Sequence, residues 1–541
     1  MEHVSLADLP GFTADPEAYT DHSVSDLVRH WARTRADEPA YISPAGTTTW
    51  ADYDRLADRV CAALLSLGEI PAVAVYLPDT VEFHGTLVGA YRAGVRAVAV
   101  GARSGPAEVA HLMSASGSTV LVTVRENRGV PVSDLVAELR SRNAAPAHLV
   151  IVDGPRVITD SAVGRAGHPA PVREFSVDDV CLLNSTSGTT GRPKLVMQTQ
   201  RRWSAFAAIA CRNAEMDARE VVAAFVPAPF GFGLWTSHFL PALLGRPALV
   251  MHRFDAAVAI DLMAEYRATI LACVSTQFRM MLQTPDRAVA RAETLRVMFT
   301  GGEAVPHAEA RRFEEATGAL VLQFYGSNET GAASATTVQD DDETRLGTGG
   351  RLIEAMNVRI LDDGTAGPGV RRGQPAVRGP LMSPGYWNDD AANAELFTDD
   401  GWIRLGDIVE VDDSDRLRVV GRLADLIIRG GKNISALEVE DFIREHPAVE
   451  MVAAVGVPDP LFGERLCAAV TLTPGTDRLS LADLNTWLRA QGITREYLPE
   501  RLRVLESMPL APGGKIAKAQ VEQLVGTNVG DDDYDGRPNR R

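Results

Sequence analysis

The stretch Ser185-Thr186-Ser187-Gly188-Thr189-Thr190-Gly191-Arg192-Pro193-Lys194 decides the reading of this chain. Five hydroxyls, two glycines and a lysine fall within these ten residues. Glycines let a backbone approach a ligand and expose its N–H groups, hydroxyls add donors, and lysine adds a mobile positive charge. Together they make a phosphate-handling composition. The spacing is not GxxxxGK[ST], so a Walker-type loop is absent and a kinase built on one is excluded. Taken alone, the segment leaves a flexible surface loop open as the alternative.

An apolar run, Val180 to Leu183, leads into this loop as a short strand, and the same texture extends both ways along the chain. Helical spacing of apolar residues marks Ser25 to Ala36 and Tyr53 to Leu67. Buried-strand runs stand at 72–77, 97–100, 120–124, 221–226, 247–251, 270–274, 297–299 and 320–323. Strands separated by helices predict βαβ units and an α/β fold of largely parallel sheets. Near residue 350 short strands between Gly-, Pro- and Asp-rich turns (358–361, 375–378, 409–411) predict a turn-rich β subdomain. After residue 423 a helix (436–445), two strands (451–457, 468–472) and a second helix (480–491) predict a small α+β domain. The division is 1–423, 424–526 and an acidic, disordered tail, 527–541.

The chain has 541 residues and a net charge of −17, with 54 Lys+Arg against 71 Asp+Glu. Such a balance gives no electrostatic reason to coat nucleic acid, although a local cluster of donors still holds an anion. The five cysteines, Cys61, Cys181, Cys211, Cys273 and Cys467, form no CxxC pair, so buried thiols are expected rather than a zinc site or disulfides. The N-terminus carries no basic start followed by an apolar run, and no stretch of about 18 apolar residues occurs, so no membrane is expected and the cytoplasm is the default location.

Further segments follow the loop in order: Gly301-Gly302-Glu303-Ala304 after a strand, Tyr325-Gly326-Ser327-Asn328-Glu329, Gly401-Trp402-Ile403-Arg404-Leu405-Gly406-Asp407, Gly421-Arg422, Arg429-Gly430-Gly431-Lys432-Asn433-Ile434 and Pro512-Gly513-Gly514-Lys515-Ile516. With the loop, this series resembles the adenylate-forming superfamily across nearly the whole chain. That superfamily includes acyl-CoA synthetases, carrier-protein adenylation domains and luciferases, and the texture here is nearest to acyl- or aryl-CoA ligases. Its members activate a carboxylate with ATP to an acyl adenylate and pyrophosphate, then pass the acyl group to a nucleophile.

The resemblance implies roles residue by residue. Thr186, Ser187, Gly188, Thr189, Thr190, Gly191 and Lys194 would handle the phosphates of ATP. Gly302 and Glu303 would lie along the adenine, and Tyr325 beside Gly326 would stack on it. Glu329 would help hold Mg²⁺, since a carboxylate beside a triphosphate repels it unless a cation stands between. Asp407 would accept from the ribose hydroxyls, with Arg422 contacting ribose and phosphate. Lys515 would be the catalytic lysine, stabilising charge at phosphorus as pyrophosphate leaves. The C-terminal domain would be mobile about Ala424-Asp425, delivering Lys515 in one pose. In the other it would present the Arg429, Gly430 and Gly431 loop to a pantetheine arm.

Pro227-Ala228-Pro229-Phe230-Gly231-Phe232-Gly233-Leu234-Trp235 resembles the segment lining the acid site, with Phe230, Phe232, Gly233 and Trp235 as pocket residues. Amino-acid adenylation domains carry an aspartate near Gly231, and hydroxybenzoate ligases an asparagine. Neither stands there, which implies an apolar or aromatic acid without an α-ammonium. Two further departures occur. Asn328 replaces the usual Thr but still offers a donor and an acceptor. Leu195 replaces the usual Gly, and because Leu avoids φ > 0 the loop is expected to close differently. Coenzyme A is the expected acceptor. A carrier-protein phosphopantetheine, an amine and nitrite remain as alternatives, while a non-catalytic sensor is disfavoured by the presence of Lys515, Glu329 and Asp407.

Overall fold

A computed structural model describes residues 21–159, 174–185, 193–217, 219–284, 289–302, 305, 307–362, 369–429, 432–459, 461–510 and 516–526. The chain forms two compact units. The first holds the described residues up to 358, together with 377–403; the second holds 359–376 and 404 onward. The 423/424 boundary expected from the sequence falls on a one-turn 3-10 helix, Leu423–Asp425, inside the second unit. The expected tail, 527–541, lies outside the described residues.

The first unit contains a seven-stranded and a nine-stranded sheet. In the seven-stranded sheet, Leu182–Ser185, Arg96–Ala99, Ala72–Tyr76, Val120–Thr123 and His148–Asp153 run parallel, and antiparallel strands Leu195–Gln198 and Arg156–Thr159 close its two edges. Both faces of a parallel sheet are covered, which is why its strands read as unbroken Ala/Val/Leu runs rather than alternating ones. Helices Pro106–Ser116 and Val132–Ser141 bury Val109, Leu112, Met113, Leu135 and Leu139 on one face. Helices Trp50–Ser66 and Val81–Arg92 pack together through Gly85 and Gly89. A Cβ at Gly89 would stand 2.7 Å from the Ala57 carbonyl oxygen, so only glycine allows this approach.

The nine-stranded sheet runs in the order 351–352, 331–335, 320–327, 297–301, 270–272, 222–224, 248–249, 39–43, 46–49. Its core includes Leu271, Met298 and Val321 from the strands and Ile260, Phe278 and Phe313 from the covering helices. The expected βαβ alternation is therefore present on both sheets. The second unit contains a sheet with antiparallel pairing of residues 370–376, Asp407–Asp412 and Leu417–Arg422, and a five-stranded sheet built around the long hairpin Val449–Asp459 and Gly463–Leu472. Helices Ala436–Arg444 and Leu481–Ala490 cover the latter through Val439, Ile443, Leu484 and Leu488. This is the α+β domain expected from the sequence.

Candidate active site

The glycine–hydroxyl loop is held at both ends by one hairpin. Leu182–Ser185 pairs antiparallel with Leu195–Gln198, Ser185 facing Leu195. Residues 186–192 lie outside the described residues, and with them the expected phosphate contacts of Thr186, Ser187, Gly188, Thr189, Thr190 and Gly191. One expectation changes here, and the expected difference in how the loop closes lies outside the described residues. The leading strand lies two residues later than 180–183, because Asn184 and Ser185 continue its hydrogen-bonded pairing. Leu195 sits in this strand with no positive φ, and its side chain is buried in the core. Extended backbone suits Leu, so this position imposes no need for glycine. Segment 383–387 lies along the same strand, with Met197 N–H donating to Gly385 O at 2.9 Å and Trp387 N–H to Leu195 O at 2.8 Å.

That segment brings in Tyr386, which the sequence reading missed. Its hydroxyl donates to Glu329 Oε1 at 2.8 Å, and its ring lies under Lys194, whose Nζ is 5.0 Å from the ring centre. Burial, then the Glu329 carboxylate, holds the Tyr386 phenol well above its ordinary range, so it stays a donor at neutral pH. The Glu329 carbonyl accepts from Ser383 N–H at 2.6 Å. Glu329 is thus fixed at both backbone and side chain. Nothing in the spacing of Pro384-Gly385-Tyr386-Trp387 signals this role; only the aromatic pair after a Pro-Gly turn sets it apart.

Tyr325, Gly326 and Ser327 end the strand Leu320–Ser327, with a bulge between Tyr325 and Gly326. A bulge re-aims the side chains that follow it. Gly326 is obligatory, since a Cβ there would meet the Gly331 carbonyl oxygen at 1.8 Å. On the neighbouring strand's exit, Gly302 takes φ +78°, a conformation that favours glycine. Glu303 lies outside the described residues.

Behind Asn328 runs a buried polar chain that the sequence reading also missed. Arg202, 2% exposed on helix Gln200–Asn213, donates through Nη1 to the Asn328 carbonyl at 2.9 Å and to Gln198 Oε1. Trp203 Nε1 donates to the same Gln198 oxygen at 2.9 Å. Gln198 Nε2 donates to Asn184 Oδ1 at 2.7 Å, and Asn184 Nδ2 to Asn328 Oδ1 at 3.3 Å. Burial lowers the Arg202 pKa to about 9, which leaves it charged at neutral pH. Polar side chains at 184 and 198, inward on otherwise apolar strands, are the signal that could have found this chain.

The acid segment begins the short helix Gly231–Leu234, which passes into a π-helix, Trp235–Phe239. Phe230 and Phe232 are half-buried, and the Phe232 ring stacks on Trp235 at 6.0 Å. Trp235 is 1% exposed, packed against Phe206, Phe299 and Phe324, so it backs Phe232 from inside the core. A Cβ at Gly233 would stand 2.1 Å from the Pro227 carbonyl oxygen. The segment is tied down from below. Asp79, buried, accepts the Ala228 N–H at 3.0 Å, and its other oxygen is 3.3 Å from His84 Nε2.

In the second unit, Asp407 and Arg422 stand opposite each other on paired strands, and Arg422 Nε donates to Asp407 Oδ1 at 3.1 Å. Ala424 and Asp425 form the 3-10 turn, where Asp425 meets Lys518 Nζ at 2.9 Å. Arg429 ends a strand and donates to the Glu496 carbonyl at 2.9 Å. Gly430, Gly431 and Lys515 lie outside the described residues, although Leu510 and Ile516, which flank the last of these, form an antiparallel bridge. Among the described residues no group of three or more His, Cys, Asp or Glu could hold a metal ion, and none of their helices is long and apolar enough to cross a membrane.

Comparison with known proteins adds to this geometry. Residues 28–387 match the family described as AMP-binding enzyme, and residues 438–515 match the AMP-binding enzyme C-terminal domain. The chain is 31% identical over 520 residues to the salicyl-AMP ligase / salicyl-S-ArCP synthetase of Mycobacterium tuberculosis, covering 94% of this chain and 91% of that one. It is 31% identical over 486 residues to feruloyl-CoA synthase of an Amycolatopsis species, covering 88% and 94%. Its fold matches ATP-bound MatB from Rhodopseudomonas palustris with a TM-score of 0.81 at 24% identity, covering 92% and 98%. With the loop hairpin, the fixed glutamate and the two-unit architecture, these matches establish that the chain belongs to the AMP-binding enzyme family of the adenylate-forming superfamily and is an ATP-dependent, AMP-forming acid–thiol ligase.

Proposed function

We propose that the enzyme activates an aryl or apolar carboxylic acid and transfers it to the thiol of coenzyme A. The observation that carries this reading is the placement of Asn328. Its Nδ2 reaches the Ser185 carbonyl at 3.4 Å, at the start of the phosphate loop, while its Oδ1 lies over Gly231 of the acid segment. The nucleotide motif and the acid segment therefore converge on one side chain, next to a fixed carboxylate. In the first step a carboxylate oxygen of the acid attacks the α-phosphorus of ATP. The new O–P bond replaces the bond to the β-phosphate, and pyrophosphate leaves. In the second, a thiolate attacks the acyl carbon, the C–S bond forms, the C–O bond breaks and AMP leaves.

Each group has a task in this scheme. Lys194 and the loop hydroxyls bind phosphate oxygens, and Asp407 with Arg422 reads the ribose. Tyr325 stacks on the adenine, and Lys515 opposes the charge that develops at phosphorus. Glu329 would hold Mg²⁺. A single oriented carboxylate suits that ion, which is commonly bound by one or two carboxylates plus substrate phosphates. When bound, Mg²⁺ would neutralise phosphate charge. Phe230 and Phe232 would line the acid pocket, with no acidic side chain at 231 to receive an α-ammonium. Ala424-Asp425 would serve as the hinge, and Arg429, Gly430 and Gly431 would line the thiol's approach.

The names of the two relatives, which specify salicyl and feruloyl groups, support an aryl acid. The first relative's name also includes an aryl carrier protein, which keeps carrier-bound phosphopantetheine as a second acceptor. A pyrophosphate-release screen over alkyl, alicyclic and aryl acids, each with and without CoA and with mass analysis of product, tests the reading. Aryl hits that yield a CoA thioester only when CoA is added are expected. Acyl-AMP that accumulates unchanged in CoA, but is consumed by a phosphopantetheinylated carrier protein, would replace CoA with the carrier.

A further inference from the structure

The buried chain behind Asn328 has a fixed polarity. Arg202 carries only donors, so the Gln198 group facing it must be the amide oxygen, and Trp203 Nε1, also only a donor, agrees. The Gln198 NH₂ must then donate to Asn184, which turns the Asn184 oxygen inward and its NH₂ toward Asn328. The last oxygen, Asn328 Oδ1, is set by the same logic. Amide orientation is ordinarily ambiguous, but a guanidinium at one end removes the choice. Asn184 and Gln198 are fully buried, so no water competes for these groups.

That oxygen occupies a particular place. A Cβ built on Gly231 would fall 2.2 Å from Asn328 Oδ1 and 2.8 Å from the edge of the Trp203 ring. Position 231 can therefore carry no side chain while Asn328 stands where it does. The amide fills the space from which a residue at 231 would reach into the acid site. One lone pair of Oδ1 accepts from Asn184, and no second donor meets this oxygen among the described residues. The same amide carries Nδ2 on its Ser185 side, where the phosphate loop begins. A substrate group that meets Oδ1 is therefore carried close to the reacting carboxylate.

We propose that Asn328 is a specificity-determining residue, an acceptor held over Gly231 by the Arg202–Gln198–Asn184 chain. It would select aryl acids bearing a hydrogen-bond donor, a hydroxyl or an amine, at the ring position beside the carboxylate. The inference rests on the aryl-acid reading of this site and deepens it. Arg202, Gln198 and Asn184 act through Asn328 and are positioning residues.

The test is the ratio of kcat/KM for 2-aminobenzoate to that for 2-fluorobenzoate in acid-dependent ATP–pyrophosphate exchange. The two acids are close in size and opposite in polarity at that position. A neutral hydrogen bond corresponds to a preference of up to about tenfold for the amine in the wild type. Asn184→Leu, close to Asn in volume, removes the donor that orients the Asn328 amide and brings the ratio toward one. Asn328→Thr, at a half-buried position, shortens the side chain and brings the ratio to about one. Asn328→Asp keeps an oxygen over Gly231 and retains the preference even where kcat falls. A purely structural role for this chain would move both acids together and leave the ratio alone. Exchange with aryl acids at a ratio near one in the wild type, or a wild-type preference unchanged in Asn184→Leu and Asn328→Thr, overturns the inference alone. No exchange with any aryl acid overturns the reading of function as well.

Discussion

At the scale of single residues, the chemistry depends on side chains whose partners are buried. Glu329 is oriented because Tyr386 fixes one of its oxygens. Tyr386→Phe removes a hydrogen bond to a charged acceptor, worth about 1.5–3 kcal/mol. Steady-state kinetics should give a roughly tenfold or greater fall in kcat/KM for MgATP, with the KM for the acid little changed. Asp79 offers a pH test. Burial raises its pKa to about 8, and burial lowers that of His84 to about 3, so the pair is neutral in the folded protein. A raised folded pKa contributes stability that is lost as pH rises toward 8, whereas the lowered His84 contributes stability lost as pH falls below its unfolded value near 6.5. Between about pH 6.5 and 8 only the Asp79 slope remains. Thermal melting of the wild type should decline across that window, and Asp79→Asn should flatten the decline. The glycine–hydroxyl loop stands out by its composition, and Glu329 and Asp407 were singled out by resemblance to motifs of a known family. Asn184, Gln198, Arg202 and Tyr386 were not, because their partners lie far away in sequence and no local pattern encodes a buried hydrogen bond.

Elements were legible where apolar runs are long and their ends were not, because pairing follows hydrogen bonds rather than hydrophobicity. Asn184 and Ser185 are polar yet extend their strand, and Gly463 and Glu464 open a strand whose apolar part begins later. Close packing between elements is equally hidden in sequence. Gly89→Val would press a branched side chain against Val60 and the Ala57 carbonyl. Overpacking of this kind costs about 1–3 kcal/mol, to be read from the denaturant midpoint. In the second unit, Lys518 Nζ joins Asp425 to Glu440 Oε1 at 2.9 and 2.8 Å. Burial opposes its charge, but Glu440 and Asp425 raise its pKa above the ordinary lysine value. Lys518→Met strands the buried Glu440 carboxylate and should destabilise this unit by about 3 kcal/mol. Adding Glu440→Gln should recover much of that loss. An additive double mutant would show that the pair is not coupled.

For the whole molecule, the net charge of −17 describes solubility and not the ligand. Lys194, Arg202 and Arg422 each have a defined local partner, and local order is what reads an anion. Two units with separate cores fit a reaction with two transition states, each needing different groups. The central claim is that the chain first makes an acyl adenylate and uses Lys515 for that half-reaction only. Acid-dependent ATP–pyrophosphate exchange in Lys515→Ala, run beside thioester formation from a supplied acyl adenylate, measures it directly. The account predicts exchange lowered by at least about a hundredfold, a typical loss for one transition-state charge contact, with transfer near the wild-type rate. Exchange at the wild-type rate would contradict it.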